Sequence, residues 1–492
     1  MLFLLWLVSA IPLPLSAQSG TPAALQWSLP RRVPGIADDT NPPYLIADRN
    51  RTVHAFFSQS IAGNLAVFYS QWSSLTSWTR PVDILLSPIK QRATTLGAFL
   101  DSKGIFHVIF YGGIAEGAKI YYSSAPAVNA GLAPAWSPPK MIGDGASAPA
   151  SGALVGDDNG NLFVVYAGLR EGYGIYATLS NDGGATWSDP SPIFLTQSSI
   201  QSTFSPQLYL SGRGWLHAIW LVVSSSGQGR GIYYARMNSH DKQWTFPTSL
   251  AETPTGLGVR DPAIVEHKGI LFAEFYNADM GGHYVMRTSS DDGQSWTPSN
   301  APFPQHIGDN GPGSFVIDSN DNLHLLWGQR IPGSPGISDV HGIWHSLWKA
   351  DNQWSVPEPI VSGPQTAQFD PSLPSTVVSQ GNTLLVTWRQ DPGLTGNGVW
   401  YSYTTLNAPE LPVAAIPTPV MTATATPAPT ATLEPVVPTR TTIPRLVSPN
   451  QPTGIAPSPL GSNPNLAILI AILPVIILLS VVLVARNLRR AI

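Results

Sequence analysis

Two charged residues, Glu274 and Arg287, interrupt an otherwise regular internal repeat and are the first candidates for chemistry in this chain. Glu274 occupies the fourth position of an inner strand, where six other copies of the repeat hold Phe56, Ile109, Val165, Ile219, Leu326 and Thr387. Arg287 occupies a position of the following strand where the other copies hold Ser70, Ser123, Thr178, Ala235, Ser346 and Ser402. A residue that breaks the chemistry of its position requires a reason. Two reasons are open: a buried ion pair between Glu274 and Arg287, or a polar pocket in this copy.

The same copy carries further polar residues that suit a pocket. Arg260 and Asp261 open its first strand, and Tyr276 lies two residues after Glu274. The planar fork of an arginine binds a carboxylate through two parallel hydrogen bonds. The fifth copy of the repeat therefore predicts a polar pocket around these residues.

Short β-strands that recur along most of the chain must position these residues. Tryptophans recur at separations of 51 to 58 residues, and a period in this range indicates an array of like units. These tryptophans are Trp27, Trp78, Trp136, Trp187, Trp244, Trp296 and Trp354. Short β-branched and aromatic runs between turns indicate antiparallel strands, and four strands per unit in a ring describe a β-propeller. We predict an all-β, seven-bladed propeller over 20–407 that the N-terminal strand closes, with six blades as the alternative.

Several first strands begin with a polar residue and a proline, and these positions predict a second candidate surface. The dipeptides are Asn41-Pro42, Ser205-Pro206, Asp261-Pro262 and Asp370-Pro371. If the four are equivalent, Asn41 and Asp370 join Asp261 around one mouth of the central channel and are candidates for ligand binding. Ordinary turn chemistry explains the same pattern equally well.

Four histidines occupy the second position of their inner strands: His54, His107, His217 and His324. One histidine per blade spreads around the ring, so packing and hydrogen bonding are favoured over metal binding. The segments 157–161 and 318–322 are rich in Asp and Asn but lack the glutamate that completes a calcium loop. We predict that they are tight turns, and we predict no metal and no other cofactor.

The two ends of the chain predict where the propeller works. Residues 1–19 resemble a signal peptide, and residues 408–465 form a Pro/Thr/Ala-rich linker that cannot bury a core. Residues 466–485 are uncharged and long enough for a transmembrane helix, and the basic tail 486–492 follows. Because positive charge favours the cytoplasmic side, we predict a single-pass protein of the cell membrane with an extracellular propeller.

The composition excludes one class of partner. The chain has no cysteine, a formal net charge of −4 and 11% charged residues. An extracellular propeller of this composition depends on core burial rather than on disulfides, and it presents no basic field for nucleic acid. The predicted partners are extracellular glycans or glycoconjugates, together with the membrane.

Two turns carry a sharper signal, because both fit Ser-x-Asp-x-Gly-x-x-Trp at the same place in their repeats. Their residues are Ser180, Asp182, Gly184 and Trp187 in the first turn and Ser289, Asp291, Gly293 and Trp296 in the second. We expect the aspartate to accept hydrogen bonds from the turn's own amides, the glycine to adopt positive φ and the tryptophan to pack between blades. The turns resemble the Asp boxes (BNR repeats) of sialidase-like propellers of the bacterial membrane-anchored type, and the resemblance covers about residues 25–406.

This resemblance implies a structural role for the Asp boxes, which lie on the outer rim in that family. It also implies an arginine triad for the sialic acid carboxylate, a tyrosine nucleophile paired with a glutamate, and an aspartate acid/base. Carried onto this sequence, the catalytic candidates are Tyr276, Glu274 and Asp261. The candidate arginines are Arg260, Arg287, Arg330 and Arg389.

The sequence departs from the sialidase pattern in the first blade. The family's first arginine lies in an Arg-Ile-Pro-like segment, whereas the corresponding strand reads TNPPYLI at 40–46, and the nearest match lies at 259–264. Three functions stay open: a glycan-binding surface propeller, an exo-α-sialidase that retains configuration, and a protein-binding scaffold. The fold does not decide among them. We favour the binding module over the hydrolase, and both over the scaffold.

Overall fold

The computed structural model describes residues 25–417 except for 90–91, 115–116, 146–150, 197, 199–200, 350 and 392–396. The predicted signal peptide, transmembrane segment and basic tail lie outside the described residues, as does most of the predicted linker. Within the part of the chain that the structure describes, no helix combines the length and apolar character needed to cross a membrane.

The described residues form seven antiparallel sheets, which are the blades of a propeller. The chain begins with a short strand that belongs to the last blade, β1 (Arg31–Arg32). Blade 1 contains β2 (Tyr44–Ala47), β3 (Val53–Ile61), β4 (Asn64–Ser73), β5 (Ser77–Trp78) and β6 (Val82–Leu85). Blade 2 contains β7 (Ala93–Leu100), β8 (Ile105–Gly112), β9 (Lys119–Pro126) and β10 (Lys140–Asp144). Blade 3 contains β11 (Gly152–Gly156), β12 (Leu162–Gly168), β13 (Gly174–Ser180) and β14 (Ser191–Leu195).

The remaining blades repeat this order. Blade 4 contains β15 (Gln201–Leu210), β16 (Trp215–Ser224), β17 (Gly229–Asn238) and β18 (Thr248–Glu252). Blade 5 contains β19 (Val259–His267), β20 (Ile270–Asn277) and β21 (His283–Ser289). Blade 6 contains β22 (Ser314–Ile317), β23 (Leu323–Ile331), β24 (Val340–Leu347) and β25 (Glu358–Pro364), and blade 7 contains β26 (Ser372–Ser379), β27 (Thr383–Arg389) and β28 (Val399–Thr405). Short 3-10 helices lie at Ala127–Asn129, Ala133–Ala135 and Ala278–Met280.

The N-terminal strand closes the ring, as the sequence predicts. β1 pairs antiparallel with β28, so that Arg31 lies opposite Tyr401 and Arg32 opposite Trp400. The first strands of neighbouring blades contact one another around the ring, and β26 contacts β2. Seven blades are confirmed, and the alternative of six is wrong.

The core lies between the blades. At the closure, Val33 and Phe57 from the first part of the chain pack with Leu385 and Tyr401 of blade 7. Each large apolar side chain that is fully buried contributes about 1.5–3 kcal/mol. Burial between blades therefore holds together a ring that contains no disulfide.

A small hydroxyl in the third strand fastens the outer edge of five blades. Ser123 Oγ donates to the carbonyl oxygen of Ser137 at 2.6 Å, and Ser137 directly follows Trp136. Four other blades repeat this bond between the third strand and the residue after the tryptophan, at 2.7–2.8 Å, from Ser70, Thr178, Ser346 and Ser402. The hydroxyl thus has a structural role in five of the seven blades.

The ring has two different ends. We call the end at which the first strands begin the upper end, and the end with the turns between first and second strands, such as 48–52 and 318–322, the lower end. Because successive strands are antiparallel, the second strands finish and the third strands begin at the upper end. The turns between third and fourth strands lie at the lower end.

The histidines of the inner strands form hydrogen-bonded networks at the lower end. His54 Nδ1 lies 2.6 Å from Tyr69 Oη, and its Nε2 lies 3.1 Å from Asp48 Oδ2. Blade 2 repeats the network with His107, Tyr122 and Asp101, blade 4 has the bond between His217 and Tyr234, and blade 6 pairs His324 with His345 and Asp318. The predicted role in packing and hydrogen bonding is confirmed.

The Asp- and Asn-rich segments are tight turns, as predicted. Asp318 Oδ1 accepts the backbone N–H groups of Asn320 and Asn322, each at 2.9 Å. Asp157 Oδ1 accepts those of Asn159 and Asn161 at 3.0 and 2.8 Å. A carboxylate that bonds its own backbone in this way stabilises the turn before the inner strand.

The two Ser-x-Asp-x-Gly-x-x-Trp turns also lie at the lower end and adopt the predicted geometry. Asp182 Oδ1 accepts the backbone N–H of Thr186 at 2.8 Å, and hydrogen bonds from Thr186 and then Ser180 lower the pKa of Asp182 to about 2. Gly184 has a φ of 88°, and a Cβ there would overlap the phenol of Tyr122 from blade 2. Trp187 packs against Tyr122 with ring centroids 5.1 Å apart.

The second of these turns repeats the arrangement between blades 4 and 5. Ser289 Oγ donates to Asp291 Oδ1 at 2.7 Å, and hydrogen bonds from Ser295 lower the pKa of Asp291. Gly293 has a φ of 81°, and Trp296 lies 5.0 Å from the ring of Tyr234. The predicted packing of both tryptophans between blades is confirmed.

Candidate functional site

The start of β19 places Arg260 and Asp261 at the upper end of blade 5. A β-bulge lies between Arg260 and Ala263, and Asp261 within it has a φ of 52°. Bulges redirect side chains next to functional sites. Arg260 is half exposed, and its Nη1 donates to Asp309 Oδ2 at 2.9 Å.

The carboxyl groups of Asp261 and Asp309 form a pair. Burial raises the pKa of Asp261 well above its ordinary value, and Asp309 raises it further, while the Arg260 guanidinium opposes both effects. Two carboxylates in one site cannot both ionise without a large cost. Burial beside Asp309 therefore favours the protonated form of Asp261, and Asp309 is the member of the pair that accepts the hydrogen bond from Arg260.

Tyr276 and Arg330 complete this group. The Tyr276 ring meets Tyr284 edge to face at 5.8 Å. Burial raises the pKa of the Tyr276 phenol, Asp309 raises it further, and Arg260 and Arg330 oppose the shift, so all three charges lie near it. Arg330 is half exposed, with its Nε 3.1 Å from Asp339 Oδ2. We call Arg260, Asp261, Tyr276, Asp309 and Arg330 the mouth cluster.

Glu274 lies on the same face of β20 as Tyr276 but deeper between blades 5 and 6. The residue is 1% exposed, and among the contacts of the described residues its Oε2 has no hydrogen-bond partner. A Cβ at Gly313 of blade 6 would overlap Oε2, so this glycine leaves the space for the carboxyl. Burial raises the pKa of Glu274 to about 8, with partial relief from the Gly313 N–H.

The Tyr284 phenol connects Glu274 with the mouth cluster. Its Oη donates to the carbonyl oxygen of Gly311 at 2.6 Å. Burial raises the pKa of Tyr284 well above its ordinary value, and Asp261, Asp309 and Glu274 each raise it further. The three acids therefore surround this buried phenol.

The ion pair between Glu274 and Arg287, one of the two explanations open from sequence, is not formed. In the β20 and β21 ladder, Glu274 lies opposite Met286 and Arg287 opposite Ala273. Directly paired residues share a face of the sheet and neighbouring residues do not. Glu274 and Arg287 consequently point to opposite faces of blade 5.

Arg287 instead takes over the role of the recurring hydroxyl. Its Nε donates to the carbonyl oxygen of Thr297 at 2.6 Å, and Thr297 directly follows Trp296. Nη1 donates to the carbonyl oxygen of Leu250 in blade 4 at 2.6 Å. Arg287 thus fastens the outer edge of blade 5, and its bonds lie away from the mouth cluster.

Arg389 is buried rather than open to a ligand. Arg389 and Asp391 are each 1% exposed, and Nη2 lies 2.8 Å from Asp391 Oδ1. Nη1 donates to the carbonyl oxygen of Thr40 at 2.7 Å. Burial lowers the pKa of Arg389, and the Asp391 carboxylate opposes that shift. Of the four candidate arginines, the structure brings Arg260 and Arg330 together and separates Arg287 and Arg389 from them.

Asp370 belongs to a polar network that adjoins the mouth cluster. Its Oδ1 accepts a hydrogen bond from Asn310 Nδ2 at 2.9 Å and lies 2.7 Å from His341 Nδ1. His341 is opposite Arg330 in the β23 and β24 ladder. The network extends the upper-end polar surface from blade 5 to blade 7.

The four polar-proline dipeptides are not equivalent, which corrects the prediction from sequence. In the strand ladders, Ser205-Pro206 and Asp261-Pro262 share a position, but Leu373-Pro374 occupies it in blade 7. Ser205, Asp261 and Leu373 all have positive φ, at 46°, 52° and 54°. Asp370 precedes that position by three residues. In blade 1, Tyr44 pairs with Phe56, which places the exposed Asn41 at the position of Arg260.

Sequence reasoning missed Asp309, Asn310 and His341. Asp309 and Asn310 lie between Gly308 and Gly311, which have φ of 98° and 92°. The sequence signal that could have identified these two residues is an acid and an amide between two glycines, in a connection between blades. His341 has no comparable signal, because its partner Asp370 is 29 residues away.

Chemically, the mouth cluster combines two half-exposed guanidinium groups, two carboxyl groups and a phenol. Such groups can bind the hydroxyl and carboxylate groups of a ligand. A tyrosine nucleophile also needs a base that accepts its proton. Glu274 is two residues from Tyr276 on the same face, roughly 7 Å along the strand, and no hydrogen bond joins their side chains among the contacts of the described residues.

Comparisons with known proteins match the fold. No protein-family model and no curated protein sequence matches the chain. A lectin from Burkholderia pseudomallei is 14% identical with a TM-score of 0.51, over 77% of this chain and 99% of that one. An ulvan lyase is 12% identical with a TM-score of 0.50, over 77% and 96%. The NanB sialidase from Streptococcus pneumoniae is 12% identical with a TM-score of 0.43, over 78% and 71%.

These identities show the fold alone. The chain is a seven-bladed β-propeller, and a lectin and a polysaccharide lyase are among the solved structures that resemble it in fold. Its function must be argued from the side chains at its upper end.

Proposed function

We propose that this protein is a surface propeller that binds extracellular glycans through the mouth cluster. The observation that carries the proposal is the placement of half-exposed Arg260 and Arg330 around Tyr276, beside the acid pair of Asp261 and Asp309. Guanidinium and carboxylate groups make hydrogen bonds in pairs, which suits adjacent hydroxyl groups of a sugar ring. The Tyr276 ring supplies an apolar surface for the C–H face of the sugar.

The location is part of the same proposal. A signal peptide at 1–19 would export the chain, and a span at 466–485 with the basic tail 486–492 would hold it in the membrane with its C-terminus in the cytoplasm. The linker 408–465 would keep the propeller away from the membrane surface. A glycan-binding site at the upper end would then face the surroundings of the cell.

The test is binding to a glycan array, followed by titration of the glycans that bind. Arg260→Ala and Arg330→Ala should each weaken the affinity at least about tenfold, because each removes hydrogen bonds to a charged group. The matched control is Arg213→Ala, which removes a half-exposed arginine that pairs with Asp292 at the lower end and should leave the affinity unchanged. Absence of binding to any glycan, or equal affinity in all three variants, would refute the proposal.

A second candidate function is an exo-α-sialidase, and one observation favours it. Burial and the neighbouring Asp309 raise the pKa of Asp261 well above its ordinary value, which favours the protonated form that a general acid needs, and Asp261 lies in the same cluster as Tyr276. Against this, the pKa of Tyr276 is raised rather than lowered, and Glu274 makes no hydrogen bond to it. Glycan binding is therefore the better supported function.

Hydrolysis of a fluorogenic α-sialoside by the full chain separates the two functions. If the protein is a sialidase, Asp261→Asn and Tyr276→Phe should each abolish release of the fluorophore. If the wild-type protein binds glycans on the array and releases no fluorophore, the sialidase function is excluded for this substrate.

A further inference from the structure

A cavity of about 280 Å³ lies between blades 3 and 4 at the upper end. It is separate from the mouth cluster, and no residue of that cluster lines it. Phe194, Gln201, Arg230, Tyr233 and Glu252 form most of its wall. Sites for drug-sized ligands begin at about 300 Å³, so this cavity suits a single ring.

An aromatic wall forms one side of the cavity. In blade 3, Phe194 of β14 lies opposite Ile175 of β13. The same position in other blades holds the smaller residues Leu85, Gly143, Ala251 and Val361. Phe194 reaches across to blade 4, where its ring lies 5.1 Å from Tyr233 and 5.7 Å from Trp220. This exception to the repeat creates an apolar surface that faces an open space.

Polar groups also line the cavity and are held in place by their own hydrogen bonds. Tyr233 Oη donates to Glu252 Oε1 at 3.1 Å. Arg230 Nη2 donates to Gln228 Oε1 at 2.6 Å, and Nη1 donates to the carbonyl oxygen of Thr253 at 3.2 Å. Groups that are positioned before binding lose little entropy when a ligand arrives.

Two β-bulges border the cavity on either side of β17. The ladder between β16 and β17 shifts register between Val222 and Val223, and the ladder between β17 and β18 shifts between Ile232 and Tyr233. A Cβ at Gly231 would overlap the Tyr233 ring, so this glycine lets the ring lie flat along the strand. The bulges and the glycine thus shape the strand that carries Tyr233, a residue of the cavity wall.

We infer that this cavity is a second binding site, which takes one neutral sugar ring. An aromatic face with hydrogen-bonding groups around it matches a pyranose, which has an apolar C–H face and a polar edge of hydroxyl groups. Glu252 Oε2 is not engaged by any contact of the described residues and accepts from the hydroxyl groups. The opposite charges of Arg230 and Glu252 leave no net charge to attract an ionic ligand.

The experiment is saturation-transfer NMR on the full chain with methyl glycosides of neutral hexoses, 6-deoxyhexoses and N-acetylhexosamines, followed by titration of those that bind. Glu252→Gln should weaken the affinity at least about tenfold, because it removes a charged acceptor. Tyr233→Phe, which releases Glu252 from its hydrogen bond, should weaken it about threefold or more. Glu171→Gln, which alters an exposed acid of blade 3 outside the cavity, should have no effect.

A variant of the mouth cluster distinguishes this second site from the site of the proposed function. Arg260→Ala should leave binding of the neutral glycosides unchanged, and Glu252→Gln should leave the mouth-dependent binding on the glycan array unchanged. The inference is overturned if no neutral methyl glycoside shows saturation transfer, or if Glu252→Gln binds these glycosides with the affinity of the wild type. It is also overturned if Arg260→Ala abolishes the binding of these glycosides, because the sugar would then occupy the mouth cluster.

Discussion

Both ends of the ring contain aspartates whose carboxyl groups bind nearby partners. The two ends differ in how far along the chain those partners lie. At the lower end, Asp48 accepts hydrogen bonds from backbone amides two and four residues later and pairs with His54, six residues away. At the upper end, the partner of Asp309 is Arg260, 49 residues away in another blade. The histidine networks of the lower end are therefore complete within each blade, whereas the mouth cluster forms only when the blades meet.

The comparison shows which end of the propeller repeats its residues from blade to blade and which end does not. One lower-end network departs from the rest, because Ser211 replaces the aspartate in blade 4 and, among the described residues, His217 Nε2 has no partner. Burial and the nearby Arg236 then lower the pKa of His217 to about 3, so the ring stays neutral. Repetition at the lower end keeps the fold, while the unique groups of the upper end are available for a ligand.

Glu274 lies at the upper-end side of blade 5, and its replacement should have the largest effect on stability, seen in the pH dependence of the free energy of unfolding. Folding raises its pKa from 4.5 to about 8, so the folded state binds this proton more tightly than the unfolded state. The stabilisation is full below about pH 4.5 and is lost as the pH rises through about 8, by up to about 5 kcal/mol. Glu274→Gln should flatten this fall in the free energy of unfolding, measured by denaturant titration.

The control for this prediction is Glu171→Gln, which removes an exposed acid of blade 3 and should keep the wild-type pH dependence. If Glu274→Gln keeps that dependence as well, then Glu274 does not hold its proton in the folded protein, and the contrast between the two ends is weaker than we infer.

Breaking a lower-end network should have an intermediate effect on stability and none on ligand binding. Asp48→Ala leaves two backbone amides and His54 without their acceptor, which should cost about 3 kcal/mol in the free energy of unfolding. Asp158→Ala, in the equivalent turn of blade 3 but exposed, should change it by less than about 0.5 kcal/mol. A loss of glycan affinity in Asp48→Ala with an intact fold would contradict the division between the ends.

The smallest effect on stability should come from replacing Arg287. Its variants test whether this arginine has only a structural role in blade 5. Arg287→Ala removes the donors to the Thr297 and Leu250 carbonyl oxygens and should cost about 1–2 kcal/mol. Arg287→Ser supplies the hydroxyl that other blades use and should recover about half of that loss. Both variants should bind glycans like the wild type, and a selective loss of binding would return Arg287 to the ligand site.

Most of the fold was predictable because its signals are local. The tryptophan period, the strand patterns and the turn residues predict seven blades, the N-terminal closure and the conformation of the turns at Asp182 and Asp291. The exceptional charge at Glu274 marked a blade with a polar upper end. That Glu274 and Arg287 point to opposite faces was not predictable, because a shift of one residue in register turns a side chain to the other face.

The sequence by itself determined the repeat, its strands and its lower-end networks, because those depend on partners within one hairpin. Only the tertiary structure decided which side chains meet at the upper end. There the closed ring brings together Arg389 and Thr40, 349 residues apart, and joins Phe194 of blade 3 to Tyr233 of blade 4 across a cavity. These upper-end contacts depend on the register and closure of the whole ring, and no local pattern of residues encodes them.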